Sequence, residues 1–266
     1  MSNPTGDTLR SHGAGAAARA DNVTKIYGEG GTRVVALDEV SAEFGRSRFT
    51  AIMGPSGSGK STLMHCLAGL DSVTEGRVFV GDTDLTTLDD KALTMLRRDR
   101  VGFVFQSFNL VPTLTAIENI RLPLDLAGRE PDREWLDTVI DTIGLRDRLS
   151  HRPSELSGGQ QQRVACARAM ASRPDVIFAD EPTGNLDSRS SDEVLAFLRR
   201  SVDQTGQTIV MVTHEPSAAA YADRALFLED GRLVDDLDKP TAELVFDKIR
   251  ALDSTKRRDS PTAPGA

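Results

Sequence analysis

The apolar residues of this chain fall into short strand-like runs that alternate with segments of helical periodicity. The runs are rich in β-branched and aromatic residues, whereas the segments between them repeat their apolar positions at the spacing of a helix face. Apolar strands that alternate with helices predict an α/β fold with a mainly parallel core sheet covered on both faces. The predicted strands of this sheet are 48–53, 101–105, 175–179 and 208–212, and the predicted helices are 60–70, 89–98 and 191–202.

Two further regions depart from this alternation. Residues 19–26 and 34–44 are strand-like and flank a glycine turn at 28–31, which predicts an N-terminal antiparallel β subdomain. Residues 115–172 are helical in pattern throughout and predict a helical insertion of about sixty residues. A short strand at 76–80 and a final hairpin around 230–231 complete the predicted sheet elements.

The two ends of the chain lack hydrophobic periodicity. Residues 1–17 are rich in small polar residues and residues 253–266 are charged and contain proline, so both are predicted to be disordered tails. The remaining 18–252 form one predicted domain. It closes on a helix whose inner face is expected to carry Leu244, Val245, Ile249 and Leu252.

The amino-acid composition of the chain excludes several classes of function. A net charge of -8 argues against a nucleic-acid partner. No apolar run approaches the roughly 18 residues of a membrane span, and the polar N-terminus has no signal-peptide layout, so a cytoplasmic location is expected. Cys66 and Cys166 lie in helical stretches and are expected to be buried thiols. The 4 histidines show no zinc spacing, so a metal would arrive with a bound nucleotide.

A complete phosphate-binding loop follows the strand at 48–53. Its glycines allow consecutive N–H groups to surround an anion, and the helix that starts beside it adds a positive dipole end. ATP is the expected ligand, with the Lys60 side chain on the β and γ phosphates and the Ser61 hydroxyl on Mg²⁺. The residues of this predicted site are Gly54, Pro55, Ser56, Gly57, Ser58, Gly59, Lys60, Ser61 and Thr62.

Two adjacent carboxylates end the apolar strand at 175–179. A buried strand delivers such residues to the edge of a sheet, where ligands of α/β proteins bind. Asp180 is expected to hold the metal through its water shell, and Glu181 to accept a proton from attacking water. Paired acids in a solvated turn are the alternative interpretation.

A serine and two glycines stand before the helical stretch 161–172, in the segment Ser157, Gly158, Gly159 and Gln160. A hydroxyl and unhindered amides at a helix N-terminus are typical of an anion site. A plain helix cap with a flexible approach remains an open alternative.

Together these three motifs resemble the signature of the ATP-binding-cassette (ABC) ATPases, over about residues 18–235. The resemblance implies roles for four more residues in the family's order. Tyr27 would stack on adenine, Gln106 would coordinate the metal or the attacking water, His214 would hydrogen-bond the γ phosphate, and Asp187 would lie near a dimer interface.

The resemblance also implies partners. The signature segment of one copy would cap ATP held by another, which gives a homodimer with two composite sites. The segment 103–115 and the segment 179–187 look most like the macrolide-export and lipoprotein-releasing branch. The resemblance implies that this chain drives a separate membrane permease from the inner face of the membrane. An apolar groove for that permease is expected from Phe105, Phe108, Leu110, Val111 and Leu114, although internal packing explains each of them equally well.

Two alternatives to transport stay open. Cell-division ATPases of the same branch, which regulate a cell-wall hydrolase through a membrane protein, share much of this pattern. A cassette ATPase that acts on ribosomes or DNA usually has two cassettes or a long coiled-coil insertion, and this chain has one cassette and no sustained heptads. No additional regulatory domain and no fused membrane helices are expected.

Overall fold

The computed structural model describes residues 15–259, with side chains described as far as Leu252. The strands in this range are β1 (Ala16–Tyr27), β2 (Val34–Gly45), β3 (Phe49–Met53), β4 (Glu75–Val80), β5 (Thr83–Asp84), β6 (Val101–Phe105), β7 (Val176–Asp180), β8 (Ile209–Val212), β9 (Arg224–Glu229) and β10 (Arg232–Asp238). The α-helices in the same range are α1 (Lys60–Leu67), α2 (Asp90–Arg100), α3 (Ala116–Leu126), α4 (Arg133–Ile143), α5 (Gly158–Met170), α6 (Ser188–Thr205), α7 (Pro216–Ala219) and α8 (Ala242–Asp259).

The strands form two sheets, which confirms the predicted α/β fold with a parallel core and an antiparallel subdomain. The core sheet has the order β10-β9-β3-β8-β7-β6 and is parallel except for the hairpin strand β10. The second sheet has the order β2-β1-β4-β5 and is antiparallel. Helices α3, α4 and α5 form the helical insertion between β6 and β7.

Core strands alternate their side chains between two hydrophobic clusters, one on each face of the sheet. In β7, Ile177 and Ala179 face the cluster that contains α3, α5 and α6, whereas Val176 and Phe178 face the cluster that contains α1 and the antiparallel sheet. Because both faces are covered, these strands are apolar at nearly every position.

The register of the parallel strands aligns their carboxyl ends. Ile52 of β3 pairs with Val212 of β8, and Val212 also pairs with Asp180 of β7. The loops that follow these three strands therefore leave the sheet at one edge, which positions the functional groups described below.

Two helix predictions were wrong in detail. Helix α1 ends at Leu67, and Gly69 adopts a left-handed φ of 65°, so Leu70, which was predicted to lie in this helix, lies beyond its end and is 47% exposed. In α8, Val245 is fully buried and Ile249 and Leu252 pack against the core, but Leu244 is 49% exposed. Val245, Ile249 and Leu252 follow the period of a helix face, and Leu244 falls outside that stripe.

The ends of the domain differ from the predicted boundaries. Strand β1 begins at Ala16, inside the predicted tail 1–17, and helix α8 runs to Asp259, beyond the predicted limit at 252. The other predicted tail residues, 1–14 and 260–266, lie outside the described residues. Within residues 15–259, none of the helices combines the length and the apolar character needed to cross a membrane.

Both cysteines are buried, as predicted. Burial raises the pKa of the Cys66 thiol and of the Cys166 thiol to about 12, so neither is a thiolate at neutral pH. They pack as small apolar side chains.

Candidate functional site

The phosphate-binding loop connects β3 to α1 and needs glycine at two close backbone approaches. Gly54 has a φ of +144°, and a Cβ there would lie 2.1 Å from the carbonyl oxygen of Leu228 in β9. Gly59 has a φ of +100°, and a Cβ there would lie 2.4 Å from the carbonyl oxygen of Ala36 in β2. The loop is thus fitted between both sheets, and larger residues would displace it.

The loop lysine already points across its own loop. The Lys60 ammonium donates to the carbonyl of Pro55 at 2.8 Å. Burial lowers the pKa of Lys60, while the carboxylates of Glu181 and Asp180 oppose that shift. A buried ammonium at the start of a helix that lines the cleft is positioned to bind a phosphate. Nearby, the Ser58 hydroxyl is buried and has no hydrogen-bond partner within residues 15–259.

A cleft of about 540 Å³ opens over this loop and adjoins a second lobe of about 430 Å³. Ser61 and Glu181 line both lobes and therefore mark where they meet. The first lobe is lined by Val34, Val35, Ala36, Ser56, Gly57, Gly59, Lys60, Ser61, Thr62, Glu181 and His214. The second lobe is lined by Ser61, Phe105, Gln106, Ser107, Asn109, Asp180 and Glu181.

Ser61 and Asp180 form the oxygen-rich part of the second lobe. The Ser61 hydroxyl donates to Asp180 Oδ1 at 3.3 Å. Burial raises the pKa of Asp180, although His65, whose Nε2 lies 4.0 Å away, and the Ser61 hydroxyl act in the opposite direction. Hydroxyl, carboxylate and amide oxygens are the donors that Mg²⁺ prefers, so this donor set fits Mg²⁺.

Glu181 and His214 face each other across the first lobe. His214 Nδ1 lies 3.0 Å from Glu181 Oε1. An ionised carboxylate only accepts, so Nδ1 carries the proton and Nε2 of a neutral ring is an acceptor. Glu181 has a left-handed backbone φ of 45°, which is uncommon for a residue with a side chain and turns its carboxylate out of the strand direction.

Gln106 reaches the second lobe from the end of β6. Its Nε2 donates to Asn185 Oδ1 at 3.2 Å, and the Asn185 amide donates back to the Gln106 carbonyl at 3.2 Å. Gly184 makes room for this side chain, since a Cβ there would lie 2.7 Å from Gln106 Nε2. Gln106 is exposed, so these neutral bonds are easily exchanged for bonds to a ligand.

The segment Ser157–Gln160 lies outside the lining of both lobes. Ser157 is exposed and caps α5, because its hydroxyl accepts from the Gln160 amide at 3.3 Å while Gln160 Oε1 accepts from the Ser157 amide at 2.9 Å. Gly159 allows α5 to approach α6, since a Cβ there would lie 2.8 Å from Ser190 Cβ. Asp187 caps α6 by accepting from the Ser190 amide at 3.0 Å.

Tyr27 likewise lies outside that lining, at the end of β1. It pairs with Val34 of β2, and both side chains are exposed. Val34 and its neighbour Val35 line the first lobe, so this side of the lobe extends toward Tyr27. The sequence reasoning did not identify either valine, because an exposed apolar residue at a strand end has no distinguishing local pattern.

Two further residues were missed. Gln162 is fully buried in α5, and its Nε2 donates to the carbonyl of Phe105 at 3.0 Å and to the carbonyl of Pro182 at 2.6 Å. Arg168 donates from the same helix to the carbonyls of Asn109 at 2.6 Å and Phe108 at 3.1 Å. These four bonds connect the helical insertion to the end of β6 and to the segments that follow β6 and β7.

The apolar residues expected to form a partner groove are each half-buried: Phe105, Phe108, Leu110, Val111 and Leu114. Leu110 packs against the main hydrophobic cluster. Among residues 15–259, groups of three or more histidine, cysteine and acidic side chains with metal-binding geometry are absent.

Comparison with known proteins agrees with this geometry. The family profile described as ABC transporter matches residues 37–184. An ABC transporter ATP-binding protein of Methanocaldococcus jannaschii is 45% identical over 83% of this chain and 99% of its own length. The macrolide export ATP-binding/permease protein MacB of Marinobacter nauticus is 44% identical over 90% of this chain and 37% of its own length.

A solved structure extends the likeness to three dimensions. The ATP-binding cassette MJ0796, in a dimeric post-hydrolysis state bound to ADP and Pi, has a TM-score of 0.74 and 40% identity over 84% of this chain and 98% of its own. The fold that positions the phosphate loop and the paired carboxylates in this chain is therefore similar to the fold of this solved cassette. The chain therefore belongs to the ABC transporter family and is an ATP-binding ATPase of that family.

Proposed function

We propose that this chain is the nucleotide-binding subunit of an ABC transporter and drives a separate membrane permease by ATP-dependent dimerisation. The observation that carries this proposal is the separation of two anion-binding elements. The phosphate loop opens into the cleft with Glu181 and His214, whereas the exposed α5 N-terminus at Ser157 lies outside that lining. A second copy is required to bring such an N-terminus to the nucleotide.

Within one copy, one set of residues binds the phosphates of ATP and another activates the attacking water. The loop amides and the Lys60 ammonium bind the phosphates and orient the γ phosphate. Glu181 accepts the proton of the attacking water, and His214 holds the Glu181 carboxylate through its Nδ1 proton. A second donated bond from Nε2 to phosphate requires the imidazolium form or release of Glu181.

Ser61, Asp180 and Gln106 are the residues that would hold Mg²⁺, directly or through water. When bound, Mg²⁺ neutralises phosphate charge. Gln106 exchanges its bond to Asn185 for a bond at the nucleotide and so links the cleft to the segment after β6.

Between two copies, the triphosphate is the bridge. The α5 N-terminus of one copy supplies amides and the Ser157 hydroxyl to the γ phosphate bound by the other. Asp187, which caps α6 beside Gly159, lies next to this contact. Hydrolysis removes the group that both copies bind, so the dimer opens.

The membrane partner is inferred from the half-buried apolar segment after Gln106. Phe108, Val111 and Leu114 are incompletely covered, and Arg168 holds the backbone of this segment in place. A short amphipathic helix of a permease fits such a surface. The likeness to a macrolide export protein favours the export and lipoprotein-release branch, with the subunit on the inner face of the membrane.

Purification of the tagged full chain from detergent-solubilised membranes tests the partner. We expect co-purification of a membrane protein with four spans and a large extracytoplasmic domain, lost in a Phe108→Asp variant that still binds ATP. Recovery of ribosomal proteins instead would contradict the membrane role. Co-purification of a cell-wall hydrolase with the membrane protein would favour the cell-division type of ATPase.

A further inference from the structure

The hydroxyl of Tyr27 is tied to a residue outside every sequence motif. Tyr27 ends β1, precedes the turn at Gly28, and is 41% exposed. Its Oη donates to Asp71 Oδ2 at 2.6 Å. A tyrosine at a strand end has two free side-chain torsions, and a bond at the far end of the ring restricts both of them.

Asp71 is itself held through its other carboxylate oxygen, Oδ1. The Lys25 ammonium donates to Asp71 Oδ1 at 2.7 Å and to the carbonyl of Ser72 at 2.6 Å, and Lys25 is only 7% exposed. Burial alone would raise the pKa of Asp71, but the hydrogen bonds from Lys25 and Tyr27 outweigh it and lower the pKa. The acceptor of the tyrosine hydroxyl is therefore an ionised carboxylate with a fixed position.

The same ammonium covers one face of the aromatic ring. Lys25 Nζ lies 4.8 Å from the centroid of the Tyr27 ring, within the range of a cation–π contact. A planar ligand can stack only on the other face. The ring of Tyr27, which is 41% exposed, thus has one occupied face and a fixed edge.

Asp71 also connects the ring to the phosphate loop through a rigid element. The amides of Leu70 and Asp71 donate to the carbonyl of His65 in α1, at 2.9 and 3.3 Å. Helix α1 starts at Lys60 and Ser61, the residues that face the phosphates. The helix therefore sets the distance between the anchor of the ring and the phosphate end of the cleft.

We infer that Asp71, held by Lys25, is a positioning residue that fixes the Tyr27 ring for stacking against the base of the bound nucleotide. The inference rests on the proposed function, in which Tyr27 stacks on adenine. A fixed ring loses less conformational entropy when the base arrives, so the anchor contributes to affinity without contacting the nucleotide.

Calorimetry on the full chain tests this inference with two ligands. ATP, measured in EDTA to prevent hydrolysis, carries the base, whereas tripolyphosphate carries only the phosphates. Tyr27→Phe keeps the ring and removes the anchor, and we expect it to raise the Kd for ATP about three- to tenfold and to leave the Kd for tripolyphosphate unchanged. Asp71→Asn should act in the same direction, and the double variant should show less than the product of the single effects.

Turnover measurements provide a second readout. The reacting groups Glu181 and His214 lie at the other end of the cleft from Tyr27, so Tyr27→Phe should lower kcat/KM for ATP through a rise in KM. The matched control is Tyr221→Phe, which removes the other tyrosine hydroxyl of the chain and its bond to Asp192 at 3.3 Å. That control should leave both constants for ATP unchanged.

Each other outcome overturns a defined part of the argument. Wild-type ATP affinity in Tyr27→Phe, with weakened affinity in Tyr27→Ala, would refute the anchor and keep the stacking role. Wild-type affinity in Tyr27→Ala would refute the stacking role and the inference with it. An equal loss of affinity for ATP and tripolyphosphate would show a general structural role for Asp71 instead of a positioning one.

Discussion

The Glu181 carboxylate and the His214 ring are in hydrogen-bond contact, with 3.0 Å between Oε1 and Nδ1, although 33 positions separate them in the chain. Glu181 follows β7 and His214 follows the neighbouring strand β8. The contact orients a carboxylate that a left-handed backbone already directs into the cleft. The carboxylate that accepts the proton and the imidazole that orients it thus follow adjacent strands of one sheet.

Replacing Glu181 by glutamine should separate binding from hydrolysis. The amide keeps the size of the side chain but accepts protons poorly, so we expect ATP affinity to remain and turnover to fall at least about a hundredfold. Sedimentation with Mg²⁺ and ATP should show a stable dimer. An undiminished hydrolysis rate would exclude Glu181 as the base, and a persistent monomer with bound ATP would contradict the composite site.

Lys60→Ala should weaken nucleotide binding itself. The ammonium contributes a charge-assisted bond to phosphate from a buried position, so its loss should raise the Kd for ATP by about tenfold or more. Calorimetry with the full chain measures this directly. Lys91, an exposed lysine of α2, is the matched control, and Lys91→Ala should bind ATP as the wild type does. Unchanged affinity in Lys60→Ala would contradict the assigned phosphate contact.

Ser157→Asp should distinguish a helix cap from an anion site. Aspartate caps a helix as well as serine does, so stability should be retained, but its charge opposes a phosphate. We expect ATP-driven dimerisation and hydrolysis to be lost. Thr115→Asp, which also replaces a capping hydroxyl by a carboxylate but at the capping box of α3, should preserve both.

Mixing variants tests whether the site is shared between copies. Homodimers of Ser157→Asp and of Lys60→Ala should each hydrolyse ATP poorly, but a heterodimer of the two has one site with an intact loop and an intact α5 N-terminus. Mixed samples should therefore regain part of the ATPase rate. No recovery at any mixing ratio would count against the two-chain site.

Gln162→Leu should destabilise the domain, because two backbone carbonyls lose their hydrogen-bond donor. The change removes a fully buried side chain that donates to the carbonyls of Phe105 and Pro182, which costs about 1–3 kcal/mol in the free energy of unfolding. Gln161→Leu removes a bond to Leu156 in a less buried position and is the control. Equal unfolding midpoints in denaturant for the two variants would contradict a special role for Gln162.

Gly159→Ala should force α5 and α6 apart. The added methyl would lie 2.8 Å from Ser190 Cβ, closer than carbon atoms approach, and overpacking of this kind costs about 1–3 kcal/mol. Gly158→Ala meets its nearest neighbour at 3.4 Å and should leave the thermal midpoint almost unchanged. Gly159→Ala should cost less stability in a Ser190→Gly background than in the wild type, and an equal cost in both backgrounds would refute the steric explanation.

Motifs made of consecutive residues could be predicted from the sequence, because all of their chemical groups lie together along the chain. The phosphate loop and the acid pair could be assigned from spacing, and the structure brings Ser61, Asp180 and Glu181 to one cleft. Gln162 could not be assigned, because a glutamine in a helix has the same local pattern whether it faces solvent or two distant carbonyls. The exposure of Leu244 was missed for a related reason, since neighbouring apolar residues do not reveal which of them meets the core.

Residue order alone specified the elements and the chemical groups: apolar runs long enough for buried strands, glycines where the backbone must bend, and acids directly after a strand. Which groups meet depended on the arrangement of those elements. Parallel register places the ends of β3, β8 and β7 side by side, so a hydroxyl and a carboxylate 119 positions apart come within 3.3 Å. Likewise, Asp71 reaches Tyr27 only because α1 packs beneath β1. Local pattern encodes propensity, whereas contact between distant segments depends on burial of both sheet faces at once.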